Sequence, residues 1–158
     1  ASFPKAKAYT QMASAIGAIF GCFFGAWMGG KLGRRPAYFF LCLTSLLLCA
    51  YLFRLVNEFG SVFLTMVFFV GAMTAAFYGW LPLYLPELFP TRVRATGQGL
   101  SFNFGRILAA VGALQMGALM HHYGGSYAKA GATITLIYFI GMVLIWFAPE
   151  TKGQPLPE

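Results

Sequence analysis

The sequence predicts an all-α fold: a polytopic membrane helix bundle with five transmembrane helices. Three observations predict it. Of the 158 residues 59 % are hydrophobic and only 9 % charged, and mean hydropathy is +0.70. The charges fall between apolar runs, not along one face of each, whereas a soluble domain carries about a quarter charged residues and an amphipathic period. Each run is also close to the roughly 20 residues that cross a hydrocarbon core of about 30 Å at about 1.5 Å per residue.

The first span covers 9–29, and in it Gly17, Gly21, Gly25 and Gly29 recur at every fourth position. That stripe carries no side chains and lets a neighbouring backbone approach closely. A basic turn, Gly30-Lys31-Leu32-Gly33-Arg34-Arg35-Pro36, leads to the second span, 37–53. Arg54 and Glu58 at its exit form an exposed i,i+4 pair of little energetic weight. The third span, 61–84, starts as an apolar helix and meets Pro82, Pro86 and Pro90. Proline has no amide donor, so the last third is expected to be broken or kinked. Freed backbone groups at membrane depth need protein or water, which places Tyr78, Trp80 and Tyr84 beside a cavity or in an interfacial aromatic belt.

Between the third and fourth spans Glu87, Arg92 and Arg94 need water or each other, which puts this turn at a membrane surface. The fourth span, 95–120, has a second small-residue stripe, Gly97, Ser101, Gly105, Ala109, Ala113 and Gly117, for which close packing on another helix is expected. The fifth span, 131–148, is followed by Pro149-Glu150-Thr151-Lys152-Gly153. Five spans put the two chain ends on opposite sides. Lys31, Arg34, Arg35, Arg92, Arg94 and Lys152 share one side, against Lys5, Lys7, Arg54 and Lys129 on the other. The excess of positive charge assigns the first side, with the C-terminus, to the cytoplasm.

One cation breaks the pattern. Arg106 stands twelve residues beyond Arg94, roughly 18 Å along a helix and so near the membrane midplane. An arginine at that depth costs at least about 2.5 kcal/mol on insertion scales, and it should face a watery cavity or an anionic partner. Its guanidinium matches a carboxylate bidentately. Asn103, three residues earlier, lies on a neighbouring part of the same face. Arg106, Asn103, Tyr78, Trp80 and Gln115 are the candidate substrate-binding residues.

Several classes are excluded. The net charge of +7 sits in short loops with no basic helix face, so nucleic acid is not an expected partner. Cys22, Cys42 and Cys49 lie inside apolar runs at no ligand spacing, and the adjacent His121 and His122 point to different sides of a helix. No metal or cofactor is expected. Nor does the chain pair a nucleophile with a base or set two carboxylates at the midplane, which argues against an enzyme.

Taken together, the Gly33-Arg34-Arg35 turn, the run Pro86-Glu87-Leu88-Phe89-Pro90-Thr91-Arg92-Val93-Arg94-Ala95-Thr96-Gly97 and the sequence Pro149 to Gly153 resemble the C-terminal half of a major facilitator superfamily transporter. The resemblance covers essentially the whole chain and implies helices eight to twelve of a twelve-helix bundle, with helix seven and the N-terminal half outside this sequence. It implies a plasma or inner-membrane secondary transporter that moves a small organic solute by alternating access. Glu87, Arg34, Arg35, Arg92, Arg94 and Glu150 then form a cytoplasmic charge latch that closes when the protein is open to the outside. The family's usual Asp in the basic loop is missing, since the chain contains no Asp. The tryptophan of the sugar-porter branch, five residues before Glu87, is replaced by Pro82, which weakens a sugar assignment. Gly105-Arg106 is similar to a Gly-Arg in helix eleven of organic-acid and aromatic-acid proton symporters. Expected partners are therefore the lipid bilayer, an organic-acid solute, protons and the N-terminal half. A sugar transporter of the same superfamily and a non-transporting assembly or sensor subunit are the alternatives.

Overall fold

The computed structural model describes residues 5–56 and 58–158. Among these the regular structure is helical throughout: α1 (Ala6–Leu32), α2 (Arg34–Leu55), α3 (Ser61–Leu88), α4 (Arg94–His122), α5 (Tyr127–Ile134), α6 (Ile137–Leu144) and a terminal 3-10 turn (Ile145–Phe147). Helices α1 to α4 are each long and apolar enough to cross a membrane, and so is the stretch Tyr127–Phe147 that joins α5 to the 3-10 turn. The bundle is therefore a five-helix membrane fold, with its fifth helix in two pieces.

The seam between α1 and α3 organises the rest. A Cβ built on Gly17, Gly21 or Gly25 would come closer than 3 Å to the backbone carbonyls of Phe68, Ala72 and Ala76, and one on Gly79 would meet the carbonyl of Cys22. Only glycine permits this approach, which brings Cα–H groups onto facing carbonyls. Gly29 continues the stripe against the side chains of Leu83 and Trp80. Helix α2 lies across this pair, and Ala37 and Leu41 join Met28, Ala76, Trp80, Tyr84 and Ile145 in the central cluster.

Two expectations about the backbone need correction. Pro82 and Pro86 lie inside α3, which continues unbroken to Leu88. Each proline leaves one carbonyl without its ladder bond. Tertiary bonds hold the helix across that gap: Trp80 and Tyr84, on either side of Pro82, donate to the backbones of Arg34 and Pro149. The break lies instead in the fifth span. At Thr135–Leu136 the hydrogen bonds shift to three-residue closure, with Leu136 N bonding Thr133 O and Tyr138 N bonding Thr135 O. Thr133 and Thr135 turn their hydroxyls back onto the carbonyls of Lys129 and Ala132, at 3.0 and 2.8 Å. Hydroxyls that compete for helix carbonyls tighten and bend the turn.

The fourth helix differs from the others, for none of its residues is buried. Its glycines are not packed on another helix: a Cβ on Gly105 or Gly117 would meet nothing within 4 Å, and Gly97 lies close against the Phe89 ring, beyond the end of α3. Gly105, Ala109 and Ala113 line a groove of about 720 Å³ shared with Phe53, Tyr127 and Gly131.

Candidate functional site

The basic turn between α1 and α2 meets the end of α3 and the segment after the fifth span. Gly33 turns the chain at φ 106°, and a Cβ there would press on the Glu150 carboxylate at 3.1 Å. That carboxylate sits on the first turn of α2. Its Oε1 accepts from the Arg34 amide at 2.8 Å and its Oε2 from the Arg35 amide at 3.0 Å. A helix N-terminus has unpaired amides and positive dipole charge, so it holds an anion there. Burial pushes the Glu150 acid up, but the amides of Arg34, Arg35 and Lys152 and the Arg34 charge outweigh it and hold the group below the usual carboxylate range.

The Arg34 side chain turns the other way. Its Nε donates to Glu87 Oε2 at 2.8 Å, its Nη2 reaches Glu87 Oε1, and its Nη1 donates to the Gly29 carbonyl at 2.7 Å. Arg34 and Glu87 are the one ion pair among the described residues, with side chains only 9 % and 16 % exposed. Thr151 donates its hydroxyl to Glu87 Oε2 at 2.6 Å, Trp80 Nε1 donates to the Arg34 carbonyl at 3.1 Å, and Tyr84 donates to the Pro149 carbonyl at 2.8 Å. Glu87, Arg34, Glu150 and Thr151 thus tie α1, α2, α3 and the post-α6 segment at one end of the bundle.

The side chains of the other predicted latch cations do not reach an acid among the described residues. Arg35 bonds the Ala148 carbonyl. Arg94 Nε caps the end of α3 at the carbonyls of Pro86 and Phe89, 3.1 and 3.2 Å away, and its Nη2 donates to the Pro157 carbonyl at 2.8 Å. Arg92 is exposed. The last carbonyls of a helix lack an intrahelical donor, and a cation at a helix C-terminus is favoured there. Charge counting in the sequence could not distinguish these acceptors from Glu87. Thr151 gave no separate signal beyond following Glu150 in the quoted motif, and Tyr84, expected beside a cavity or in an interfacial belt, is instead a core residue.

The candidate solute residues divide between two faces. Tyr78 is exposed, and its ring lies 6.4 Å from that of Phe102 on α4. Arg106 is one turn beyond Phe102 and is the thirteenth of the 29 residues of α4. It has no polar partner among the described residues and is exposed. Asn103 is exposed beside it and donates to the Gly99 carbonyl at 2.8 Å. Gln115 is nine residues from Arg106, about half a turn out of phase at 3.6 residues per turn, on the opposite side of α4. Trp80 is a core residue, 2 % exposed, packed on Tyr38 and Tyr84 with ring centroids 4.7 Å away in each case. Two positions from Tyr78 on a helix is a rotation of about 200°, which put Trp80 on the packed face.

A five-helix membrane bundle closed at one end by a buried Arg–Glu pair and a helix-capping carboxylate defines a polytopic membrane protein whose polar core lies at a helix-end junction. Residues 7–158 match the Major Facilitator Superfamily, and the chain belongs to that family. It is similar to a putative metabolite transport protein of Haemophilus influenzae, 29 % identical over 143 residues, covering 87 % of this chain and 34 % of the relative. It is also similar to a probable 4-methylmuconolactone transporter of Cupriavidus pinatubonensis, at 30 % identity over 91 % of this chain and 33 % of the relative. A cis,cis-muconate transport protein of Acinetobacter baylyi is 32 % identical over 87 % of this chain and 32 % of its own length. The chain spans about a third of the length of these relatives. These relatives are named as transport proteins, not enzymes.

Proposed function

We propose that the chain corresponds to helices eight to twelve of a secondary transporter that takes up a small organic acid with protons by alternating access in the plasma or inner membrane. Arg106 is the observation that carries this reading. It stands midway along α4 without a counter-ion among the described residues, on the side that Phe102 turns toward Tyr78. A permanent cation at that depth is stable beside water or an anion, and an organic carboxylate supplies the anion. Relatives named for muconate and 4-methylmuconolactone support the solute class. No carboxylate lies in the middle of a span, because the four acids are Glu58, Glu87, Glu150 and Glu158, so the proton-carrying acid belongs to the N-terminal half. The sugar reading has less support, since Trp80 is enclosed in the core.

The Arg34–Glu87–Glu150 junction acts as the latch, on the cytoplasmic side together with the C-terminus. It would hold two segments of this half together while the solute path is open at the far end and release them when the path reverses. The test is counterflow in proteoliposomes of the full-length protein with a panel of aromatic acids, other organic acids and sugars. Uptake of an organic acid that Arg106→Ala abolishes is expected. Undiminished uptake by that variant would remove Arg106 from the solute path, and transport of sugars alone would overturn the acid assignment.

A further inference from the structure

The end of the bundle opposite the Glu87 junction has a cavity of about 500 Å³, where the last turn of α2 meets the α4–α5 turn and the outer face of α5. Two cations line it, Arg54 from α2 and Lys129 from α5, and no acid does. Glu58, the one acid near this end, lines a separate cavity with Tyr51, Leu55 and Val62, and no Arg54–Glu58 ion pair forms among the described residues. The i,i+4 spacing that suggested such a pair fails because α2 ends at Leu55, three residues before Glu58. Two like charges facing one cavity repel unless an anion enters it.

The walls indicate what kind of anion. The Tyr123 and Thr133 hydroxyls are hydrogen-bonded at 3.1 Å, and both line the polar wall of the cavity. Arg54 and Lys129 stand at the ends of their membrane-crossing stretches, at the depth of lipid headgroups. From Lys129 the cavity surface continues toward the membrane interior over Ala132 and Leu136, one turn apart on α5 and its turn. A free inorganic anion needs no such apolar floor, whereas the first carbons of a lipid do.

We propose that this cavity binds the phosphate of an anionic phospholipid in the leaflet at the end of the bundle opposite Glu87, with Arg54 and Lys129 as its cationic clamp and Ala132 and Leu136 under the glycerol and first methylenes. Each cation near a membrane surface contributes about 1 kcal/mol of attraction to anionic lipid, so losing both weakens binding about thirtyfold.

The test uses the full-length protein, purified and delipidated, with thermal stability followed as phosphatidylglycerol, phosphatidylcholine or inorganic phosphate is added. Phosphatidylglycerol should raise the melting temperature of the wild type, and phosphatidylcholine should not. Arg54→Gln/Lys129→Gln should need about thirtyfold more phosphatidylglycerol for the same shift, while Arg54→Lys/Lys129→Arg should behave as wild type and so exclude a folding defect. An equal response of wild type and the Gln double variant would overturn the site. An equal shift with inorganic phosphate would overturn the lipid as its ligand.

Discussion

Helices α1 and α4 carry small residues at the same four-residue spacing, yet the two stripes have opposite surroundings. Gly17, Gly21 and Gly25 are pressed against the backbone of α3. Gly105, Ala109 and Ala113 line an open groove of about 720 Å³. Small-xxx-small spacing therefore reports a capacity for close approach, and the facing helix decides whether it is used. In α3 that match exists, because Ala72 and Ala76 stand opposite Gly21 and Gly25, and Gly79 lets the Cys22 carbonyl approach. The closed end of the bundle follows from it, since the seam carries Trp80, Tyr84 and Glu87 onto α2 and the post-α6 segment.

The largest effect expected on this contrast comes from the junction that the packed seam supports. Glu87→Gln leaves the Arg34 charge in place, mostly out of water and without its carboxylate, and should lower stability by about 3 kcal/mol in detergent unfolding. The same variant should raise the labelling of a cysteine introduced at the Glu87 end of the bundle by a membrane-impermeant reagent in the full-length protein; unchanged labelling would refute the latch.

Next comes the seam itself. Gly21→Ala places a Cβ against the Ala72 carbonyl, where only a backbone shift can make room. A loss of about 1–3 kcal/mol is expected, despite alanine's better helix propensity, and an unaltered unfolding midpoint would show that α1 and α3 are not held at this distance.

A smaller effect attaches to Glu150. Its folded pKa is depressed below the ordinary 4.5, so its contribution is fully present above about that pH and is lost as pH falls through the folded value. Melting temperatures should hold from neutrality to about pH 4.5 and fall below it. Glu150→Gln should flatten the Glu150-dependent part of that acid limb, and cost about 1 kcal/mol at neutral pH as a weakened helix cap; an unchanged pH profile would separate Glu150 from α2.

The smallest effect is expected at the unpacked stripe. Gly105→Ala meets nothing within 4 Å and should change the stability of this chain by no more than about 0.5–1 kcal/mol, in the stabilising direction. A loss equal to that of Gly21→Ala would erase the contrast, and a loss seen only in the full-length protein would sharpen it by placing another helix on that face.

How much was legible in the sequence depends on the kind of residue. Hydropathy and loop charge placed the helices well because a membrane admits few alternatives to a continuous apolar helix. The break expected at Pro82 and Pro86 does not occur: α3 runs on to Leu88, and Trp80 and Tyr84 on either side of Pro82 bond distant backbone. The Thr133–Thr135 break leaves no trace in hydropathy, because it arises where threonine hydroxyls compete with the helix ladder for carbonyls. Within the site, Glu87, Arg34 and Glu150 were readable as charges that needed partners. Arg92 and Arg94 were not distinguishable from them, for a guanidinium satisfied by carbonyls looks the same in sequence as one satisfied by a carboxylate.

Five membrane-length helices, the charged junctions between them and the family are legible in the chain alone, because hydrophobic length and charge placement are properties of each segment. Which glycine stripe is packed, which arginine meets Glu87, and that Trp80 faces the core while Tyr78 and Arg106 remain uncovered emerge on folding. Those outcomes depend on which surface each helix meets, and that pairing is set by the fit of two faces, not by either one.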